Sequence, residues 1–485
     1  MIGGIMVEKK MKRNLKSRHV SMMAIGGSIG TGLFMASGAI VSKAGSYKAL
    51  IAYILVGVFI YFLMSSLGEL ASFYPVSGSF SSYAERFIHP SLGVAVGWFY
   101  WIIWILVAGI DIITLSKVLQ FWSFFRQFSS FSLCIFFLLL LFIINIASVK
   151  IFGEIEYWLT IIKVITVIIF LLSGFALIFG IFGNSTTQGL STFVENSKVD
   201  GAQGLLGFFA ILSTAAFSFG GTESVAVASG ESENPAKTMP KAVNQVFFRI
   251  LIFYVATIFI ISAVIKATDS RLLDTSNILA SPFTLVFENA GMTIAATVMN
   301  MVICAAVLSA GNSGIYFSSR QLFSLSTRGY APKRFSKLSV NSSPQLAVFI
   351  SVIAIFLSFL LEKYNKTGYY MLLSLVGVLI VCVWTISVYA QIRLRKAIRK
   401  QGKEEDTLLP YKAKFGLFGS YLAILAFVLV VILQTIADFT HGGIKVAIYD
   451  ILPPLLIFII FMVHKLTKKT KFIALEKIDL ERFKL

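Results

Sequence analysis

Long apolar stretches separated by short polar segments run from residue 20 to residue 466. About 20 consecutive apolar residues make a helix long enough to cross a 30 Å hydrocarbon core. Twelve segments qualify: 20–43, 48–72, 93–124, 130–147, 155–182, 203–229, 244–265, 288–322, 345–361, 369–392, 416–436 and 445–466. The pattern predicts an all-α integral membrane protein with twelve transmembrane helices. The ten-residue alternating strands of a membrane barrel do not occur. The first segment follows a basic tail, but it is too long for a signal-peptide core and has no small-residue cleavage site, so it is expected to stay as a helix. The domain organisation that follows is a basic cytoplasmic tail at 1–19, one membrane domain at 20–466 divided near 20–182, 203–392 and 416–466, and a cytoplasmic tail at 467–485.

Two of the twelve segments are interrupted, and they stand five apart. The first carries Gly26-Gly27-Ser28-Ile29-Gly30-Thr31-Gly32 and the sixth Phe217-Ser218-Phe219-Gly220-Gly221-Thr222-Glu223. An unpaired backbone group in hydrocarbon costs several kcal/mol, so non-helical chain at that depth persists only where protein, water or a bound solute satisfies it. Matching breaks in two halves point to a binding site at the midplane of a carrier built from inverted repeats.

Composition agrees with a membrane protein: 57% of the 485 residues are hydrophobic and 13% charged, against roughly 45–50% apolar in soluble domains. A net charge of +19 would suggest nucleic acid in a soluble protein. Here Lys and Arg favour the N-terminal tail and alternate loops by about three to one, which places both termini in the cytoplasm. The runs Arg393 to Lys414 and Lys465 to Lys484 then read as topology determinants beside anionic lipid, and no nucleic-acid partner is expected. Cys134, Cys304 and Cys382 lie in apolar segments as small hydrophobes. His19, His89, His441 and His464 are not spaced as metal ligands. Neither a disulfide, a metal nor a cofactor is expected. The chain lacks a phosphate-binding loop, a nucleophile elbow and a dinucleotide fingerprint, which argues against an enzyme or a nucleotide-driven pump. Energy is left to an ion gradient.

The broken segments carry the candidate chemistry. A helix interrupted in the first segment exposes N–H donors at a half-helix N-terminus, which favours a carboxylate. Ser28, Gly30, Thr31 and Gly32 would hold it, and the unwound carbonyls of both breaks could take an ammonium; the competing use of these glycines is close helix packing. Glu223 is an intramembrane carboxylate beside the second break and a candidate for proton exchange. Lys163 lies about nine residues beyond Glu154, roughly 13 Å into the fifth segment and near the midplane. Glu156, Thr160 and Lys163, at i, i+4 and i+7, form one inward stripe. Tyr100, Trp104 and Asp111 share a face of the third segment, where an anion with two aromatic rings suits a cationic side chain. Glu69, Glu231 and Glu233, at the cytoplasmic ends of helices, are read as structural.

These residues carry a resemblance. The chain resembles amino-acid permeases of the amino acid-polyamine-organocation (APC) superfamily, its lysine-transporting bacterial branch most of all, through Arg18-His19 with Ala24 to Phe34, Gly68-Glu69-Leu70 with Pro75 to Phe80, and Gly153-Glu154 to Lys163. The match continues through Phe217 to Glu223, Gly230-Glu231 with Asn234 to Lys237, Ser281-Pro282-Phe283 and Leu308 to Ser313. The resemblance implies twelve helices, with segments 1–5 and 6–10 as a LeuT-like 5+5 inverted repeat. It implies Phe217 as an aromatic gate over the substrate, with Phe219 and Gly221 beside it, and proton coupling through Glu223 and Lys163. The expected function is a secondary active transporter in the bacterial cytoplasmic membrane, importing a cationic L-amino acid, foremost L-lysine, by proton symport with alternating access. Its partners are the amino acid, protons and membrane lipids. Two positions depart from the family: Ser46 follows Gly45 where many members have proline, and Gly220 is small, giving a wider pocket that admits histidine or aromatic amino acids. The alternatives are an amino acid/amine exchanger and a membrane sensor reporting to a partner protein.

Overall fold

The computed structural model describes residues 16–27, 29–147, 149–181, 190–199, 204–272, 281–339, 343–364 and 368–481. Ser28, the tail up to residue 15 and Lys484 lie outside them. The described chain is helical, with no strand among the described residues.

The chain opens with α1 (Ser17–Gly26), a break, and a wide π-type turn at Gly32–Ala36 that runs into α2 (Ser37–Phe73). Inside α2 the backbone leaves helical geometry at Gly45, with φ 69°. A side chain resists that conformation, so glycine allows the first two predicted segments to meet at one residue. Next come α3 (Ser79–Phe87), α4 (Pro90–Leu119), α5 (Ser123–Arg126), α6 (Ser130–Ala147), α7 (Val149–Ile178) and α8 (Ser191–Asn196). The second break separates α9 (Gly204–Ser218) from a 3₁₀ turn at Thr222–Ser224 and α10 (Val225–Ala228). The rest is α11 (Pro235–Val264), α12 (Pro282–Asn289), α13 (Thr293–Thr327), α14 (Gln345–Tyr364), α15 (Gly368–Lys400), α16 (Glu405–Leu408), α17 (Gly416–Gly442) and α18 (Ile444–Lys468).

Helix starts follow local chemistry. His89, Asn234 and Ser281 each accept a backbone N–H through the side chain at the head of α4, α11 and α12, and each is followed by a proline. Proline has no N–H to leave unpaired in a first turn.

Among the described residues eight helices are long and apolar enough to cross a membrane, and Ile252–Val264 and Gln345–Leu360 are shorter apolar helices. The chain is a multi-pass membrane protein. Neither α1, α9 nor α10 is long enough to cross by itself, because each ends at a break. Burial grades outward: 83% of the apolar window of α4 is inside the protein, but 33% for α17 and 22% for α18. Large apolar side chains such as Phe179, Phe418 and Leu466 are exposed, as they must be against hydrocarbon rather than water. The centre is α4 packed on α13, with α2, α9 and α11 around the two breaks.

Candidate functional site

The two breaks touch. A Cβ on Gly27 would stand 2.8 Å from the Gly221 carbonyl, and one on Gly221 would run into the Gly27 carbonyl. Gly221 also has φ 94°, so both conformation and space demand glycine there. Gly32 lies as close to the chain of Ser218, 2.5 Å from a built Cβ to Cα.

Helical hydrogen bonds lost at the breaks are replaced by side chains. Lys163 Nζ donates to the Gly26 carbonyl at 2.8 Å, the Tyr254 hydroxyl to the Ser218 carbonyl at 2.6 Å, and the Ser218 hydroxyl to the Gly32 carbonyl at 3.0 Å. The Gly221 N–H donates to Glu223 Oε2 at 2.9 Å. These four backbone groups thus have partners, as the membrane interior requires. Glu223 also sets a carboxylate at the N-terminal end of the second half-helix, where the dipole favours it.

A cavity opens between the breaks. Gly30, Thr31, Gly32, Trp104, Asp111, Phe217, Gly221 and Glu223, all expected in the site, line it together with Gly27, Ile103, Val107, Ser218, Gly220, Ala310, Ser313 and Ile380. Three expected residues do not line it. Tyr100 packs behind the wall, its ring 4.6 Å from Phe80 and 6.0 Å from Trp104. Phe219 points away and stacks on Tyr254 at 4.4 Å, because the turn that presents Phe217, Ser218 and Gly220 inward sends Phe219 outward. Lys163 stays behind α1. Ser28 lies outside the described residues.

Thr31 also has a side-chain bond to the third segment. Its hydroxyl donates to Asp111 Oδ1 at 2.5 Å, so the backbone N–H at Thr31 is what remains for a carboxylate. Asp111 Oδ2 is buried and has no hydrogen-bond partner among the described residues. Among the described residues, Leu33 and Phe34 are the first donors past the break to bond back, both to the Gly30 carbonyl at 3.1 Å, so Gly30 to Gly32 stand at the N-terminal end of the half-helix, where N–H groups point outward.

The amino acid permease family matches residues 19–477. The chain belongs to the amino acid permease family. A lysine-specific permease of Lactococcus lactis is 42% identical over 98% of this chain and 94% of its own length. A histidine permease of the same organism is 40% identical over 98% and 99%, and a gamma-aminobutyric acid permease of Bacillus subtilis 37% identical over 86% of each chain. Members of this family are transporters, not enzymes.

Behind the cavity of this permease lies a second polar layer. Glu156, Thr160 and Lys163 are fully buried on one stripe of α7, as their spacing predicts. Glu156 Oε1 accepts from Ser309 at 2.7 Å and stands 4.0 Å from Lys163 Nζ. Asn145 of α6 donates to Asn312 of α13 at 2.7 Å. Away from the cavity, Glu69 pairs with Arg395 at 2.6 Å and Glu231 with Arg320 at 3.1 Å, while Glu233 is exposed.

Sequence reasoning missed Ile103, Val107, Ala310, Ser313 and Ile380 as lining, and Tyr254 as the group that satisfies Ser218. The apolar ones carry no signal that separates them from core. Ser313 had one, since it sits in the polar run Ser309 to Ser313 inside an apolar helix.

Proposed function

We propose that this permease imports a cationic L-amino acid, L-lysine first, together with protons across a bacterial cytoplasmic membrane. Twelve spans carry it, both termini are cytoplasmic, and segments 1–5 and 6–10 form two inverted repeats that alternate access to the cavity. The observation that carries the substrate class is Asp111 Oδ2, a buried acceptor without a partner in a cavity that Trp104 also lines. A lysine ammonium supplies the missing donors, and the indole adds a cation–π contact. The open N-terminal turn at Gly30 to Gly32 suits the substrate carboxylate. Phe217 closes over the ligand. Glu223 and Lys163, both buried and both bonded to the breaks, are the groups that couple protons to the motion of the half-helices.

Energetics favour symport. Lysine⁺ entering with one proton moves two charges, about 4.6 kcal/mol per 100 mV or roughly a 2,000-fold gradient, against roughly 50-fold for lysine⁺ alone. Histidine is the second reading: Gly220 lines the cavity and brings no side chain to narrow it. Purified protein in proteoliposomes, with an inward proton gradient and labelled lysine, separates the two through a panel of unlabelled amino acids. Lysine is expected to compete best. Strongest competition by histidine would transfer the assignment, and counterflow without net uptake would make the protein an exchanger.

A further inference from the structure

The transport scheme leaves Glu156 without a task. It is fully buried on α7, and its Oε1 takes the Ser309 hydroxyl at 2.7 Å while Oε2 has no hydrogen-bond partner among the described residues. An ionisable group at this depth is functional by default. Among the described residues, two carboxylates act on Lys163, Glu156 and Asp111, and Lys163 is the one cation acting on Glu156. The other elements packed on α7 bring neutral polar groups to the pair: Ser309, Asn312 and Ser313 from α13, the Gly26 carbonyl from α1, and Asn145 of α6 through Asn312. Tyr254 of α11 is engaged with Ser218. Arg18 and His19 are held by Glu154 at the far end of α1.

We propose that Glu156 is the proton partner of Lys163, so that the pair alternates between an ion pair that grips α1 by the Gly26 carbonyl and a neutral pair that releases it. The exchange balances internally: the Lys163 N–H bond breaks, a Glu156 O–H bond forms, and amine and carboxylic acid replace ammonium and carboxylate. No proton leaves the protein in this step. The 4.0 Å gap closes by rotation about terminal side-chain bonds or through one water. An ammonium holds the C-terminal end of a helix by charge as well as by hydrogen bond, whereas an amine keeps only the weaker bond. A cation arriving at Asp111 neutralises one of the two anions that hold the ammonium and repels it, which drives its proton to Glu156. Substrate entry and release of α1 are thereby joined.

This inference rests on the transport proposal, and one experiment separates their failures. Labelled-lysine counterflow in proteoliposomes at equal internal and external pH is measured for wild type and Glu156→Gln across a pH series. In Glu156→Gln the proton must leave for the solvent before α1 is released, so the ratio of variant to wild-type exchange is expected to fall by about tenfold for each pH unit lowered. Glu156→Asp should restore a flat ratio. A structural carboxylate predicts a flat ratio for Glu156→Gln as well, and that result overturns the inference alone. A wild type that exchanges no amino acid overturns both. Ser309→Ala offers an independent arm if Glu156→Gln does not fold: it removes the donor that favours the carboxylate and should raise exchange severalfold, and unchanged or slower exchange counts against the pair.

Discussion

Asp111 has two oxygens in two situations. Oδ1 is fixed by Thr31 at 2.5 Å and Oδ2 is left for whatever fills the cavity. A charge-assisted bond to a substrate ammonium is worth about 1.5–3 kcal/mol. Asp111→Asn is therefore expected to weaken lysine binding by roughly 10- to 150-fold at 1.4 kcal/mol per decade, and neutral amino acids by no more than a few-fold. Competition binding on both proteins checks it, and equal losses for charged and neutral ligands would assign Asp111 to the helix bundle. Glu223 differs because Oε2 is committed to the Gly221 N–H. Glu223→Gln keeps that acceptor and removes the charge, so substrate should still bind while accumulation falls or its pH optimum moves. An unchanged pH profile would leave Glu223 as a helix cap. At this scale the sequence marked inward-facing polar groups wherever a charged residue stood in an apolar stretch: Asp111, Lys163 and Glu223 are all buried, and Asp111 and Glu223 line the cavity. It was not readable where function depends on which way a side chain turns: Phe217 and Phe219 are two residues apart in one motif, yet one lines the cavity and the other stacks on Tyr254.

Between elements, the breaks work as one unit. α1 is held to α7 near both ends, by Arg18 to Glu154 at 2.5 Å and by Lys163 to the Gly26 carbonyl at 2.8 Å, and its broken end rests on Gly221. Gly221→Ala adds a Cβ at φ 94° directly against the Gly27 backbone. The left-handed conformation alone costs about 1–2 kcal/mol, and the backbone must also move apart. We expect a lower melting temperature in detergent and loss of lysine binding together; a variant with wild-type melting and binding would show that the breaks can separate freely. The breaks themselves were legible because runs of glycine inside apolar segments have few other uses. Their partners were not: Tyr254 meets Ser218 across 36 residues and Lys163 meets Gly26 across 137, and no local pattern announces a contact of that separation.

Across the whole molecule, the tail residues expected beside lipid partly fold back on the protein. Ile473 N–H bonds to the Ile88 carbonyl at 3.1 Å, Gln401 donates to the carbonyls of Leu475 and Ile478, and Ile478 and Leu480 are buried. Basic composition pointed to anionic lipid; it could not show that Ile478 and Leu480 in the same run are buried. The proposed driving ion is also a matter of the whole molecule. The C-terminal end of α1 offers an unpaired carbonyl at the negative end of a half-helix, the sort of group that coordinates a metal cation in broken-helix transporters. Here the Gly26 carbonyl receives Lys163 Nζ, so that position is already occupied by a side-chain donor. Uptake into proteoliposomes is expected to require an inward proton gradient or an inside-negative potential, and to proceed equally with sodium, potassium or choline outside. Lys163→Met should abolish concentrative uptake without creating a sodium requirement, since removing the ammonium leaves Glu156 without its counter-charge but supplies no further oxygen ligands. Uptake by the wild-type protein that stops when sodium is withdrawn, with the proton gradient maintained, would refute the role given to Lys163 and move the coupling site elsewhere in the bundle.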